Sequence, residues 1–474
     1  MNTIKNKKIL IDISGNTIQV IATQFFGLLI FYFTSKYLSK NEFGDLNWST
    51  ALAFTVIALA SLGLDLVFVK RVAQGLNISI ISGIHFFHTL LSGLIFSAII
   101  FGISFLLPSF TVNHPIFFLI FLNVSLANVA NSFKLCLTGL ESFKQLAVLS
   151  LLTNGIKFLL IILLFIYSIF SIYNVVIVYI SSSVFEFIIG YYFVSKNLQL
   201  NLKPRVDFNE YKLFIKESLP QLAVVIFDSA LARIDWLLLG ILSTSIVTAE
   251  YSFVYKVFEL SKLPILILAP LLLTRFSRLF NSNKLTETQI EEVNLFFKLE
   301  VFIIMFIPII LVTCWSPLID YFTDNKYGKV NEINYLLLAL CIPLTAIINF
   351  LWTMGFVQGQ LKTIMFITIF VSLINIIGNI ILIPLLGSTG SSITFLVSTI
   401  LQLFLYVKYI KQQQIQLKLL DILKIIILAF LAILASKFLI YNIIFVPIVA
   451  VFIYIFLFFI TQQINWKQIN QFKK

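Results

Sequence analysis

Charge is scarce in this chain: Asp, Glu, Lys and Arg make up 11% of its 474 residues, where soluble domains carry about 25%. A water-facing surface of ordinary extent cannot be built from that supply. Cysteine is scarcer still, and Cys136, Cys314 and Cys341 lie in or beside apolar runs at spacings that match no zinc or disulfide framework. They are expected to be inert packing residues. Of the three histidines, His85 and His88 stand three apart with no third ligand in view, which argues against a metal site. Long polar connections are missing too. The longest, 196–212 and 275–295, are too short to hold a folded catalytic domain.

What is present is apolar sequence. Hydrophobic residues make up 59% of the chain, and runs of about 20 residues, enough to cross a hydrocarbon core of roughly 30 Å, recur from end to end. Lipid offers the backbone no hydrogen-bond partner, so each span must be a helix or part of a closed barrel, and unbroken runs without period-2 alternation exclude the barrel. The fold class expected is an all-α polytopic membrane protein of about fourteen spans. They are placed near 10–35, 45–69, 80–107, 115–138, 145–169, 173–195, 213–242, 248–274, 296–322, 333–357, 362–385, 390–410, 420–440 and 442–462. The basic start, Met1 to Lys8, resembles a secretory leader. Asp12, Asn16, Gln19 and Gln24 follow with no small-residue cleavage site, so the stretch reads as a retained first span.

Lys and Arg favour alternate connections, as the positive-inside rule requires. One set includes Lys5, Lys7, Lys8, Lys70, Arg71, Lys134, Lys203, Arg205, Arg275, Lys298 and Lys474, whereas the other holds Lys36, Lys40, Lys326, Lys329 and Lys437. Both termini are therefore expected on the cytoplasmic side. The net charge of +12 is explained by this orientation; the basic residues gather into no patch or motif for nucleic acid.

The two halves of the chain resemble each other. Leu38-Ser39 followed by Glu42-Phe43-Gly44 parallels Leu242-Ser243 followed by Glu250-Tyr251. The turn Thr138 to Lys144 parallels Gln358 to Lys362, each leading to an in-span asparagine, Asn154 or Asn375. Transporters are often assembled from such repeats.

Several stretches carry a family resemblance: Tyr37 to Gly44, Leu62-Gly63-Leu64-Asp65 with Lys70-Arg71, Arg233-Ile234-Asp235 with Leu239-Gly240, Ala249-Glu250-Tyr251 with Tyr255-Lys256, and Asn375 through Asn379 leading into Ile383 to Gly387. Over residues 8 to 411 the chain resembles the O-antigen-type polysaccharide flippases of the multidrug/oligosaccharidyl-lipid/polysaccharide (MOP) exporter superfamily. The resemblance implies a MATE-like pair of six-helix lobes, 1–200 and 201–412, around a central cavity, with two added helices in 413–474. It implies a bacterial cytoplasmic membrane location and an undecaprenyl-pyrophosphate-linked repeat unit as substrate. No cofactor is expected; sodium or protons are candidates for coupling. A polysaccharide polymerase and chain-length machinery are candidate partners, and the protein is expected to be a monomer.

Charges inside a bilayer cost about 2.5–3.5 kcal/mol each and therefore face a cavity or a partner. Span seven carries Asp228, Arg233 and Asp235; span eight carries Lys256, Glu259 and Lys262. One reading has Arg233 and Lys256 attract a pyrophosphate, with Asp228, Asp235 and Glu259 as coupling-ion candidates; the other makes the set interhelical ion pairs. Lys157 and Glu186 are expected at comparable depths, as an ion pair or as cavity lining. Asn16 and Gln19 form a polar stripe with Asp12, and Asn154 and Asn375 are candidate sugar ligands. So are Asn123, Asn128, Asn131, Asn349 and Asn379, which can equally hold helices together. Asp65, Lys70 and Arg71 form either topology anchors or a cationic mouth on the cytoplasmic side.

Two competing functions remain. A cation or drug exporter of the same superfamily favours an acidic cavity, whereas the embedded charges here are nearly balanced. A membrane polymerase or acyltransferase needs a large outer loop or an embedded His beside an acid. The outer connection 323–332 is short, and no such His is evident in the sequence.

Overall fold

The structure is a computed structural model. It describes residues 2–75, 77–106, 112, 114–197, 207–279, 286–410, 418–440, 442, 444–461 and 463; within these, the side chains of 2–18, 104, 196–197, 220–221, 223–232, 270–271, 273–275, 277–279, 288 and 292 are left out. Asn16 and Asp228 thus lie outside the described side chains. The described residues form helices and no strand. Ten stretches are long and apolar enough to cross a membrane, and Val446–Ile460 is a shorter apolar helix. Of the other expected spans, 248–274 falls on two helices of 17 residues each, and 10–35 and 213–242 fall on helices whose side chains are incompletely described.

The helices group into two compact units, Met1–Ala249 and Glu250–Lys474. The first contains α1 (Asn2–Tyr37), α2 (Lys40–Ala60), α3 (Leu64–Ala73), α4 (Ile78–Leu106), α5 (Phe117–Gly139), α6 (Phe143–Ile166), α7 (Ile172–Tyr192) and α8 (Phe208–Leu242). Here α1 packs on α6, α5 lies against α4 and α7, and α2 runs beside α5 and α8. The sequence explains where these helices start. Ser39 and Glu42 form a capping box: the Ser39 Oγ accepts from the Glu42 N–H at 3.3 Å, and the Ser39 N–H donates to the Glu42 carboxylate at 3.0 Å, satisfying donors that a helix start leaves free. Asp207 caps α8 by accepting from the N–H groups of Asn209 and Glu210.

The run expected to be one span at 45–69 is broken. Leu62 (φ 52°) and Gly63 (φ 72°) take left-handed conformations that end α2 and let α3 start in a new direction; a side chain at position 63 is disfavoured there. Gly240 serves a different purpose, because a Cβ there would lie 2.0 Å from Trp48 Cδ1. Its absence lets α2 and α8 approach closely enough for the Trp48 indole N–H to donate to the Leu237 carbonyl at 3.2 Å, the small-residue packing that membrane helices favour.

The second unit contains most of α9 (Ser245–Ser261), with α10 (Leu263–Leu279), α11 (Glu287–Ile304), α12 (Phe306–Thr323), α13 (Glu332–Val357), α14 (Leu361–Leu386), α15 (Ser388–Tyr409), α16 (Leu419–Leu439) and α17 (Val446–Ile460). The expected span 248–274 is likewise divided, at Lys262. In this unit α15 packs against α13 and α14, and the last two helices join the bundle. The Phe302 ring of α11 stacks on Tyr454 and Phe458 of α17, while Lys298 pairs with Asp421 of α16 at 2.7 Å. Lys298, counted above with the cytoplasmic connections, is thus a packing residue.

The internal repeat has a local structural counterpart. After α5, the Ser142 N–H donates to the Leu137 carbonyl across Glu141 (φ 54°); after α13, the Gln360 N–H donates to the Gly355 carbonyl across Gly359 (φ 73°). Both are Schellman-type helix ends, at the two positions where the sequence halves resemble each other.

Candidate functional site

The first unit holds a cavity of about 680 Å³ lined by α2, the α2–α3 break, α3, α5, α7 and α8, within the range of small-molecule sites, about 300–1,000 Å³. Its apolar wall comes from Phe54, Ile57, Ala58, Val124 and Ala127. Its polar groups are Thr55, Ser61, Asp65, Asn128, Asn131, Lys134, Glu186 and Arg233.

Arg233 lies with its guanidinium carbon 5.4 Å from the ring centre of Phe54 and 5.2 Å from that of Trp236. Aromatic faces hold a guanidinium by its charge while leaving its N–H edge available. Among the described residues no carboxylate comes within ion-pair distance of it. Asn128 and Asn131, three apart on α5, supply amide donors and acceptors to the same cavity.

Glu186 does not pair with Lys157, as the sequence suggested. It pairs with Lys134 of α5, and both line the cavity. Lys134, assigned above to a connection between spans, is inside α5. Lys157 instead places its ammonium 3.7 Å from the ring centre of Tyr179. Helical phase decides between the two lysines: α5 turns Lys134 toward α7 on the cavity side, whereas α6 meets α7 at the Tyr179 ring.

Asp65 lies on the cavity wall at the start of α3. Its Oδ1 is 3.0 Å from Nε2 of His85, whose side chain is 1% exposed and stacked on Phe68 with ring centres 4.3 Å apart. An embedded His beside an acid therefore exists, contrary to the sequence reading. It was hidden because the two residues lie 20 apart on separate helices, α3 and α4, which the turn between Ala73 and Ile78 brings side by side. His88, one turn on, is held by the Tyr211 hydroxyl at 2.8 Å and the Ala60 carbonyl at 3.0 Å. Among the described residues no group of three potential metal ligands occurs.

Arg71 is not an open cationic mouth. It is 7% exposed, and its fork reaches Glu217 of α8 at 2.9 and 3.1 Å and Glu210 at 3.3 Å. The hydrogen bonds to Glu217, ahead of the opposing desolvation, make the guanidinium hold its proton more tightly than usual. Lys70 is exposed, so of that trio Lys70 keeps access to solvent and Asp65 to the cavity.

Other candidates take structural positions. Asn154 donates to the Ser150 carbonyl of its own helix at 2.8 Å. Asn375, 1% exposed, donates to the Ser398 hydroxyl of α15 and accepts from Asn379, while Ser391 donates to Asn379. That chain joins α14 to α15. Asn123 likewise accepts from Ser183 at 2.8 Å. Gln19 is half-buried. Asp235, 3% exposed, accepts from the Trp236 N–H at 2.9 Å. In the second unit Lys256 pairs with Glu259 at 2.9 Å, and Lys262 lies over the Phe258 ring at 4.1 Å.

Sequence reasoning missed Glu300. It is 2% exposed on α11, with the Asn349 amide beside its carboxylate, and among the described residues neither carboxylate oxygen has a hydrogen bond of good geometry. Its only signal was one acidic residue inside an apolar run.

The folds of known proteins define the class. The chain is similar to a lipid II flippase, MurJ, in an inward closed conformation, with a TM-score of 0.70 and 13% identity over 94% of this chain and 98% of that one. It is similar to an inward-facing MATE family multidrug resistance transporter of the MOP superfamily, with a TM-score of 0.65 and 15% identity over 83% and 97%. A MOP superfamily transporter from Pyrococcus furiosus aligns with a TM-score of 0.56 and 15% identity over 85% and 95%. The molecule is thus a multi-pass, all-helical membrane protein with the MurJ and MATE fold. No match was found among curated protein sequences. A sequence profile for the family described as polysaccharide biosynthesis protein matches residues 9–274, more than half of the chain, and the chain belongs to that family.

Proposed function

We propose that this protein is a flippase that carries an undecaprenyl-pyrophosphate-linked oligosaccharide from the cytoplasmic to the outer leaflet of a bacterial cytoplasmic membrane, for surface polysaccharide synthesis. The observation that carries this reading is Arg233: a guanidinium on a cavity wall, held by two aromatic rings and without a carboxylate partner among the described residues. Such a group is matched to a diphosphate, which a guanidinium binds through two parallel hydrogen bonds. Asn128 and Asn131 beside it suit sugar hydroxyls. The membership in a polysaccharide biosynthesis family and the flippase-like fold support the same conclusion. Transport needs no covalent chemistry: alternating access lets the headgroup cross in a hydrated chamber while the prenyl tail stays in lipid.

The test is translocation of a fluorescent prenyl-diphosphate glycan in proteoliposomes. Arg233→Ala is expected to lower the rate at least tenfold, Arg233→Lys to retain part of it, and both variants to insert normally. Export of cationic dyes with no movement of any prenyl-diphosphate glycan would replace this reading by that of a small-molecule exporter.

A further inference from the structure

We infer that the cavity of the first unit holds its substrate in one orientation, with the prenyl diphosphate toward Phe54 and the sugars toward the α2–α3 break, and that the sugar end selects uncharged residues. The inference rests on the anionic-substrate reading above and deepens it by naming the class of sugar.

The direction comes from how the helices run. First α2 and then α3 follow α5 along its length: the Trp48 and Phe117 rings lie with centres 6.1 Å apart near its start, and a Cβ on Gly139 would lie 2.7 Å from Val72 near its end. Between those contacts the cavity wall changes character. Toward the start it is apolar, with Phe54, Ile57, Ala58, Val124 and Ala127, and the cation there is Arg233, resting on Phe54. Toward the end it is polar, with Ser61, Asp65, Asn128, Asn131, Lys134 and Glu186. A guanidinium among apolar groups matches a diphosphate that carries a prenyl chain, and the polar wall matches hydroxyl groups.

Three observations mark the polar end as a sugar site. Asn128 and Asn131 stand on the face of α5 turned to the cavity, and neither amide has a hydrogen-bond partner among the described residues. The asparagines that join helices are engaged, Asn123 by Ser183 and Asn375 with Ser398. An unengaged amide offers two donors and an acceptor, which suits neighbouring hydroxyls on one ring. The second observation is spacing. Asn128, Asn131 and Lys134 follow at three-residue steps, so they extend over about 9 Å of helix axis, the length of two linked sugar rings. The third is charge. Asp65 and Glu186 set two carboxylates against the one ammonium of Lys134, so this end is negative while Arg233 makes the other end positive. Hydroxyls bond to carboxylates and ammonium alike, whereas an acidic sugar placed here meets a like charge and is repelled. Asp65 has one oxygen on Nε2 of His85, which fixes the carboxylate and leaves its second oxygen to accept from a hydroxyl.

The experiment is calorimetric titration of the detergent-solubilised full chain, at one pH, with three farnesyl diphosphate diesters of equal diphosphate charge. One is the methyl ester, which has no sugar; one carries a neutral disaccharide; one carries the same disaccharide with glucuronate as its first residue. Wild type is expected to bind the neutral disaccharide at least fivefold more tightly than the methyl ester and at least tenfold more tightly than the glucuronate probe. Asn128→Ala and Asn131→Ala are each expected to remove most of the first ratio, and Asp65→Asn to cut the second at least threefold. Should Asp65→Asn not fold, Glu186→Gln is measured in its place, with the same fall expected. Arg233→Ala is expected to weaken all three probes alike, because each keeps the diphosphate. Equal affinity for the three probes, preference for the glucuronate probe, a first ratio unchanged in either Asn variant, or a second ratio unchanged in the acid variant would overturn the inference and leave the diphosphate reading standing. No binding of any probe would overturn both.

Discussion

Arg71 and Glu217 face each other across α3 and α8 in a two-point contact, Nη2 to Oε1 at 2.9 Å and Nε to Oε2 at 3.1 Å. The contact turns a motif that reads as a basic membrane anchor into a clamp between helices far apart in sequence. Glu217 is half exposed, which weakens the pair through solvent screening, but the buried guanidinium has no other way to be solvated if the acids are lost. Arg71→Ala is expected to lower stability by about 1–2 kcal/mol, and Arg71→Lys by somewhat less, because an ammonium cannot reproduce the fork. Thermal unfolding in detergent checks this. Unchanged stability together with lost translocation would instead make Arg71 a substrate contact.

The Lys134–Glu186 pair invites a charge exchange. Either residue replaced by Ala leaves an uncompensated charge within the helix bundle, at a cost of about 3 kcal/mol when the site is well buried and less here because both side chains retain some exposure. Lys134→Glu combined with Glu186→Lys is expected to recover most of the folded yield lost by each single change. A double variant no better than the singles would mean that the cavity requires each charge in its present place.

Among the described residues no carboxylate lies within ion-pair distance of Lys157, which rests on Tyr179. Cation–π contacts of this kind contribute about 0.5–2 kcal/mol, so Lys157→Met, which keeps the apolar stem, is expected to reduce stability slightly and to leave translocation within about twofold of wild type. A tenfold fall in rate at unchanged stability would restore Lys157 to the substrate path.

Glu300 makes the opposite case to Arg71. It is enclosed beside Asn349, and among the described residues neither carboxylate oxygen has a hydrogen bond of good geometry. Glu300→Gln is expected to keep or raise the unfolding temperature, since it removes a group that is costly to bury. A clear destabilisation would show that the carboxyl has a partner formed in another conformation of the protein.

Removing residues 411–474 is expected to abolish stable expression. The Tyr454 and Phe458 rings cover Phe302, and Asp421 neutralises Lys298, so truncation strips an apolar face and leaves a lysine unpaired. A truncated chain that purifies and unfolds at the wild-type temperature would contradict this.

The amino-acid sequence alone determined that the chain is helical and crosses a membrane many times, because transfer of apolar residues into lipid adds up along the chain and the backbone must satisfy itself locally. It also determined that charges such as Arg233 inside those runs need a partner or a cavity. The resemblance of Thr138–Lys144 to Gln358–Lys362 was legible as well, since the helix ends it marks depend on neighbours within a few residues. Only the tertiary structure decided partners. Glu186 had two lysines within reach, and the rotational phase of α5 and α6 against α7 chose Lys134. Asp65 met His85 because α3 packs back against α4 after the turn that joins them, and Asn375 went to α15 because Ser398 faces it there. Those outcomes depend on the angles at which helices pack, and no local pattern of residues encodes an angle between segments distant in sequence.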